Sequence, residues 1–136
     1  MYTPHNLRTG AGAYARVGLE TSVMSASPHQ LIVMLFDGAM TAIAMARHHM
    51  AAGEIAAKGN SISKAIGIVN NGLKAALDTT APDDELVGNL SALYDYVARR
   101  LFQANLHNDV QALDEAGRLL ENVASAWREI DDRSRG

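Results

Sequence analysis

The stretch SPHQLIVMLFDGAMTAIAMARHHMAAG, residues 27–53, opens on a helix start, closes on a helix stop, and has no interruption between them. Ser27 can accept from the backbone of Gln30 while the Gln30 side chain reaches back, and Pro28 suits a first helical position, where no N–H is needed. Gly53 supplies a terminator. The run between is apolar at helical spacing and too long for a strand, so one helix is predicted over residues 28–52. Its apolar positions run from Met34 and Met45 through Leu31, Leu35, Ala42, Ile32, Phe36 and Ile43 to Met40, an arc on the order of 240°. A helix facing one core needs only a little over about 100°. Gln30, Asp37, Thr41 and His48 alone mark a solvent side.

The same period continues downstream. Ile55, Ile62, Ile66, Val69, Leu73 and Leu77 predict a second helix over residues 54–78, and the polar stretch to Pro82 ends it. Asp83 is a candidate cap for a third helix with Leu86, Leu90, Leu93, Val97, Leu101 and Ala104 inward. Asn108, with Gln111 three residues on, opens a fourth with Leu113, Ala116, Leu120, Val123, Trp127 and Ile130 inward. The polar tail, residues 131–136, is expected to fray. Period-2 alternation is missing, and Asp37-Gly38 and Asn71-Gly72 fall inside helical patterns rather than between strands. Matched helices joined by short links fold most simply as an all-α, antiparallel up-down four-helix bundle over residues 27–130, a single domain. Upstream, residues 1–26 form an N-terminal segment in which Ala11, Tyr14, Val17, Thr21 and Met24 could make a short extra helix broken by glycines. It reads either as a detachable lid anchored by Tyr14 or as a disordered leader.

Composition narrows the function. A chain of 136 residues with 48% hydrophobic and 20% charged residues matches a single globular domain. The absence of cysteine rules out disulfides and thiolate metal sites and suits a reducing compartment. Formal charge is -3, with no general attraction for nucleic acid. No leader-like start and no run of about 18 uninterrupted apolar residues argue for membrane insertion or export, so a cytoplasmic location is expected. No Glu-x-x-His pair of the di-iron type, phosphate-binding glycine motif or nucleophile elbow is present, so neither a cofactor nor enzymatic activity is expected. His48 and His49 are sequence neighbours that diverge by about 100° on a helix and could not share an ion without other ligands, so no metal is expected either.

Two further patterns exceed the needs of a core. The third helix carries a second stripe, Val87, Tyr94, Ala98 and Phe102, and the second helix a seam of mostly small residues, Ser61, Ala65, Ile68, Gly72, Ala75 and Thr79. Small residues at heptad-like spacing let another helix approach closely. Either these stripes form a groove for a partner helix, or they complete the core or pair with a second copy in a homodimer.

Taken in order, AYARVGLETSVMSASPHQLIVMLFDGA (Ala13 to Ala39), SISKAIGIVNNGLKAALD (Ser61 to Asp78), NLSALYDYVARRLFQANLHND (Asn89 to Asp109) and the closing Ala126-Trp127 resemble the flagellar secretion chaperone family FliS. The resemblance implies an antiparallel bundle with a short N-terminal helix that binds the C-terminal helical region of flagellin. Its role would be to keep that region from polymerising and competent for flagellar type III export, with the N-terminal segment giving way to the client. Export components or regulators would be further partners. The rival is a homo-oligomeric structural bundle without a client. On this reading the client contacts fall on Tyr14, Ala65, Ile68, Gly72, Ala75, Val87, Tyr94 and Phe102, and a charge at Ile68 or Tyr94 should weaken binding without loss of helicity. Two positions depart from the family pattern: Phe36 replaces a frequent Tyr, and residues 79–84 lack a Gly-Gly common in the link.

Overall fold

The computed structural model describes residues 25–78 and 84–135, with side chains to residue 130. The chain divides into two compact units, Met1–Leu31 and Ile32–Gly136. In the first, the predicted helix start is realised in full: the Gln30 N–H donates to Ser27 Oγ at 3.1 Å, and the Ser27 N–H donates to Gln30 Oε1 at 2.9 Å. Two backbone N–H donors at the helix start are thereby satisfied reciprocally.

Four helical elements follow one another. α1 is Pro28–Ala51. α2 comprises an α-helical stretch Ile55–Gly67, a π-helical stretch Ile68–Lys74 and a last turn Ala75–Asp78. α3 is Glu85–His107 and α4 is Val110–Arg135. No strand occurs among the described residues, and the all-α bundle read from the sequence is the fold.

Cross-helix contacts give the direction of each neighbour. Between α1 and α4, Asp37 pairs with Arg128 at 2.6 Å and Arg47 with Asp114 at 3.0 Å, so the two run antiparallel. Gly38 faces Ile68 and Gly72 faces Leu35, making α1 and α2 antiparallel. Lys58 reaches Asn105 and Lys74 reaches Asp95, making α2 and α3 antiparallel. Across the centre, the Phe36 and Tyr94 rings lie 6.3 Å apart, tilted by 58°, a separation in the favourable range for tilted aromatic pairs. Around them pack Ala42, Ile43, Ile62, Val69, Leu73, Val97, Leu101, Leu113, Ala116 and Leu120.

Connections and core faces differ from the sequence reading at definite places. Gly53 has φ +73°, which an L side chain resists, and it turns α1 into α2 as predicted. Asp84 caps α3 by accepting from the Leu86 N–H at 2.7 Å; Asp83, the expected cap, lies outside the described residues. Asn108 does not open α4. It takes the left-handed conformation, φ 52°, and ends α3, while Asp109 caps α4 by accepting from the N–H groups of Gln111 and Ala112. α4 itself stays helical to Arg135 instead of ending near residue 130. Ile55, Leu86 and Ile130, expected inward, are exposed instead; Ile55 and Leu86 stand in the first turns of α2 and α3.

The π-helical stretch explains how α2 keeps one face inward. Val69, Leu73 and Leu77 are all buried, yet they are four residues apart. In an α-helix each four-residue step overshoots by about 40°. A wider i→i+5 turn cancels that overshoot. Asn70, Asn71 and Gly72, poor helix formers, occupy the wide turn.

By length and composition α1 could cross a membrane. Here its side chains Phe36, Ala39, Ala42, Ile43 and Ala46 are core residues, and Asp37 and Arg47 pair with α4. Its wide apolar arc meets α2 through Leu35, α3 through Phe36 and α4 through Ile43, while Met45 stays half exposed.

Candidate partner-binding surface

Two helix faces predicted to be outer seams acquire definite positions. On α2 the inner part of the small-residue seam receives α1. A Cβ on Gly72 would lie 2.9 Å from Leu35 Cδ2, and one on Gly38 would lie 3.4 Å from Ile68 Cδ1. The small residue at position 72 is what lets Leu35 seat itself against the α2 backbone. Ala65 is fully buried, Ile68 and Gly72 are half-buried, and Ala75 is exposed.

On α3 the second stripe is graded. Val87 and Ala98 are half-buried against the core, and Tyr94, at 2% exposure, is part of it. Burial pushes the Tyr94 hydroxyl up to about 12, so this group is neutral at any physiological pH. Phe102, by contrast, is 60% exposed, and Leu106 one turn further on is 64% exposed. Residues four apart share a helix face, so the two form one apolar patch near the C-terminal end of α3. Leu106 was not singled out by the stripe, although its spacing from Phe102 continues the step of four. Tyr14 lies outside the described residues. The structure thus gathers Tyr94 and Ala65 into the core, and leaves Ala75 and Phe102 open.

Polar groups also join α3 to α4. Glu115 Oε1 accepts from the Tyr96 hydroxyl at 2.7 Å and from Arg100 Nε at 2.6 Å, and Arg100 also donates to Gln103 at 2.9 Å. These bonds hold the Glu115 carboxyl below the usual carboxylate range, the Tyr96 bond most of all, and they raise the Tyr96 hydroxyl. The Arg99 guanidinium stands 5.8 Å from the Tyr96 ring centroid, within cation–π range. Arg100, Gln111, Asp114, Glu115 and Arg118 line an open depression of about 370 Å³. α3 thus carries both an exposed apolar pair and, through Tyr96 and Arg100, a polar junction with α4.

Lys58, which the sequence reading passed over, is 5% exposed. Its ammonium donates to the Asn105 carbonyl at 3.1 Å and to Asn108 Oδ1 at 2.5 Å. Only the α2–α3 packing reveals its partners. A second constellation that the sequence could not show is His48, His49 and Glu54, brought together by the turn at Gly53.

Comparison with known proteins identifies the family. Residues 10–134 match the family model described as "Flagellar protein FliS". The chain is 53% identical to the flagellar secretion chaperone FliS of Salmonella typhimurium over 134 residues, 98% of this chain and 96% of that protein. It is 51% identical to the FliS of Escherichia coli over 120 residues, 88% of each. It is 45% identical to the flagellar secretion chaperone FliSB of Pseudomonas aeruginosa over 114 residues, 84% of this chain and 89% of that protein.

Proposed function

This chain belongs to the FliS family of flagellar secretion chaperones, and on that premise we propose that it binds the C-terminal helical region of flagellin in the cytoplasm. Bound in this way, the flagellin segment is kept from polymerising prematurely and stays competent for the flagellar type III export apparatus. The role is one of holding, not of chemistry. Apolar client helices, which would otherwise associate with one another, are covered by an apolar face of the bundle.

The observation that carries this reading is the exposed pair Phe102 and Leu106, one helical turn apart on α3. Large apolar side chains left uncovered together on a small bundle are a favourable place to dock a partner. We place the client contacts at Phe102, Ala75 and Val87, where side chains are open or half-open. Ala65, Ile68, Gly72 and Tyr94 support that face from beneath, by holding α1, α2 and α3 at their observed spacing.

Titration calorimetry of the purified chain with a flagellin C-terminal fragment, paired with mass measurement of the free chain and the mixture, tests the proposal. A defined complex with the fragment supports it. A stable homodimer that takes up no fragment favours the structural-bundle alternative and sinks the chaperone reading of this face.

A further inference from the structure

At the end of α1 the chain folds back through Gly53, and three ligand-bearing side chains converge. His48, His49 and Glu54 each present one coordinating atom, all within 4.8 Å of one another. His49 Nδ1 and Glu54 Oε1 are already 2.9 Å apart. We propose that these three residues bind a divalent transition-metal ion of the borderline class, zinc foremost, independently of the client surface on α3.

Four features support the site. The first is geometry: around zinc, with bonds of about 2.0 to 2.1 Å, tetrahedral ligand atoms stand about 3.3 Å apart. The three ligand atoms already lie within 4.8 Å of one another, and the ion would replace the hydrogen bond that now joins His49 Nδ1 to Glu54 Oε1 at 2.9 Å. The second is donor type. Two imidazoles and a carboxylate suit zinc, nickel and copper, whereas calcium and magnesium prefer all-oxygen sets. The remaining coordination positions face solvent and would be filled by water.

The third is rigidity. The turn carrying Glu54 is fixed by its own backbone: Glu54 N–H donates to the His49 carbonyl at 2.9 Å, Gly53 N–H to Met50 at 3.2 Å, and Ala52 N–H to His48 at 3.1 Å. Two ligands on a helix and a third on a pinned turn need little ordering on binding. The fourth is electrostatic. The ion would sit at the C-terminal end of a 24-residue helix, where the partial negative charge of the last carbonyls favours a cation. The nearest arginine in sequence, Arg47, is held by Asp114 at 3.0 Å rather than by Glu54.

A simple surface ion pair accounts for His49 and Glu54 but gives no role to the nearby imidazole nitrogens of His48. Its ring stands edge-on to His49 with centroids 5.5 Å apart, close enough for one ion to bridge both.

The test is zinc titration of the untagged full-length chain by calorimetry, with cobalt absorption as a second readout of imidazole coordination. Wild type is expected to bind one zinc ion with a dissociation constant in the micromolar range. H49A and E54Q should each weaken binding at least tenfold, while the triple variant H5A, H29A, H107A, which removes the other histidines, should bind as wild type does. Far-ultraviolet circular dichroism checks each variant's folding, and E54Q, at an exposed position, stands in should H49A unfold. No zinc uptake at 100-fold higher concentration, binding unchanged in E54Q, or binding lost in the triple variant would each overturn the site.

Discussion

The ammonium group of Lys58, buried between two helices, donates to the main-chain carbonyl of Asn105 at 3.1 Å. That carbonyl belongs to the last turn of α3, whose final four carbonyls have no intrahelical donor. Lys58 also donates to the Asn108 side chain, whose left-handed backbone ends the helix. One cation from α2 therefore closes α3 and holds the hairpin into α4. Replacing it with Met keeps the stem packing and removes the donors. Hydrogen bonds to charged groups are worth roughly 1.5–3 kcal/mol. K58M is accordingly expected to lose about 1–3 kcal/mol in urea denaturation, with K58R recovering part of the loss; a neutral K58M would show that water replaces the ammonium at no cost.

Gly53 carries strain only if it gains a side chain. A Cβ there would meet nothing within 4 Å, so the φ of +73° is the sole obstacle. Left-handed backbone costs a non-glycine residue roughly 1–2 kcal/mol. G53A should therefore destabilise by about that much, and G53N by less, because asparagine tolerates this region. Thermal melts of the two variants side by side read the difference.

The patch and the core beneath it respond differently to charge. Phe102 is 60% exposed, so F102D should leave stability within about 0.5 kcal/mol of wild type. Its affinity for a flagellin C-terminal fragment is expected to fall at least tenfold. Y94D places a carboxylate against Phe36 in the core, where an unpaired charge is costly, so a variant that loses its cooperative melt is the expected result. The sequence reading treated a charge at Tyr94 as harmless to folding; at 2% exposure it is not. A folded, weakly binding Y94D would put Tyr94 back on the surface.

Stability should also depend on pH through Glu115. Its folded carboxyl titrates below the unfolded value, first because of the Tyr96 hydroxyl and then because of Arg100. A depressed carboxyl contributes stability that is present above the unfolded value, about 4.3, and lost as pH falls through the folded one. Urea midpoints are thus expected to decline below about pH 4.5, and E115Q should flatten that decline. Tyr96 acts at the other extreme: its raised hydroxyl favours the folded state below about pH 10 and that contribution is lost on further alkalinisation. An acid limb unchanged by E115Q would assign the pH dependence to other carboxyls, among them Glu54, which His49 also holds low.

Much of the architecture was legible because helical period and end signals are local. Ser27, Pro28, Gln30 and Gly53 specify α1 through bonds and dihedrals that involve only near neighbours in the chain. The π-helical turn in α2 was less visible. Asn70, Asn71 and Gly72 are weak helix formers, but nothing local says that the extra room goes into a wide turn and not a break. Its cause is the demand that Val69, Leu73 and Leu77 all face one core. Asn108 and Asp109 were separable only by backbone conformation, since both residue types cap helices and both tolerate the left-handed region.

By itself, the amino-acid order determined the helices, their antiparallel sequence and the family, because periodicity, caps and short links are properties of the chain taken along its length. Tertiary structure decided which apolar faces are spent and which remain. The seam at Gly72 is filled by Leu35, and Tyr94 turns into the core. Phe102 stays in the open, and His48 and His49 acquire Glu54 as a neighbour. Each of these depends on where a second helix or turn lies in space, and an excess of apolar arc on one helix is the same sequence signal whether a sister helix or a client covers it.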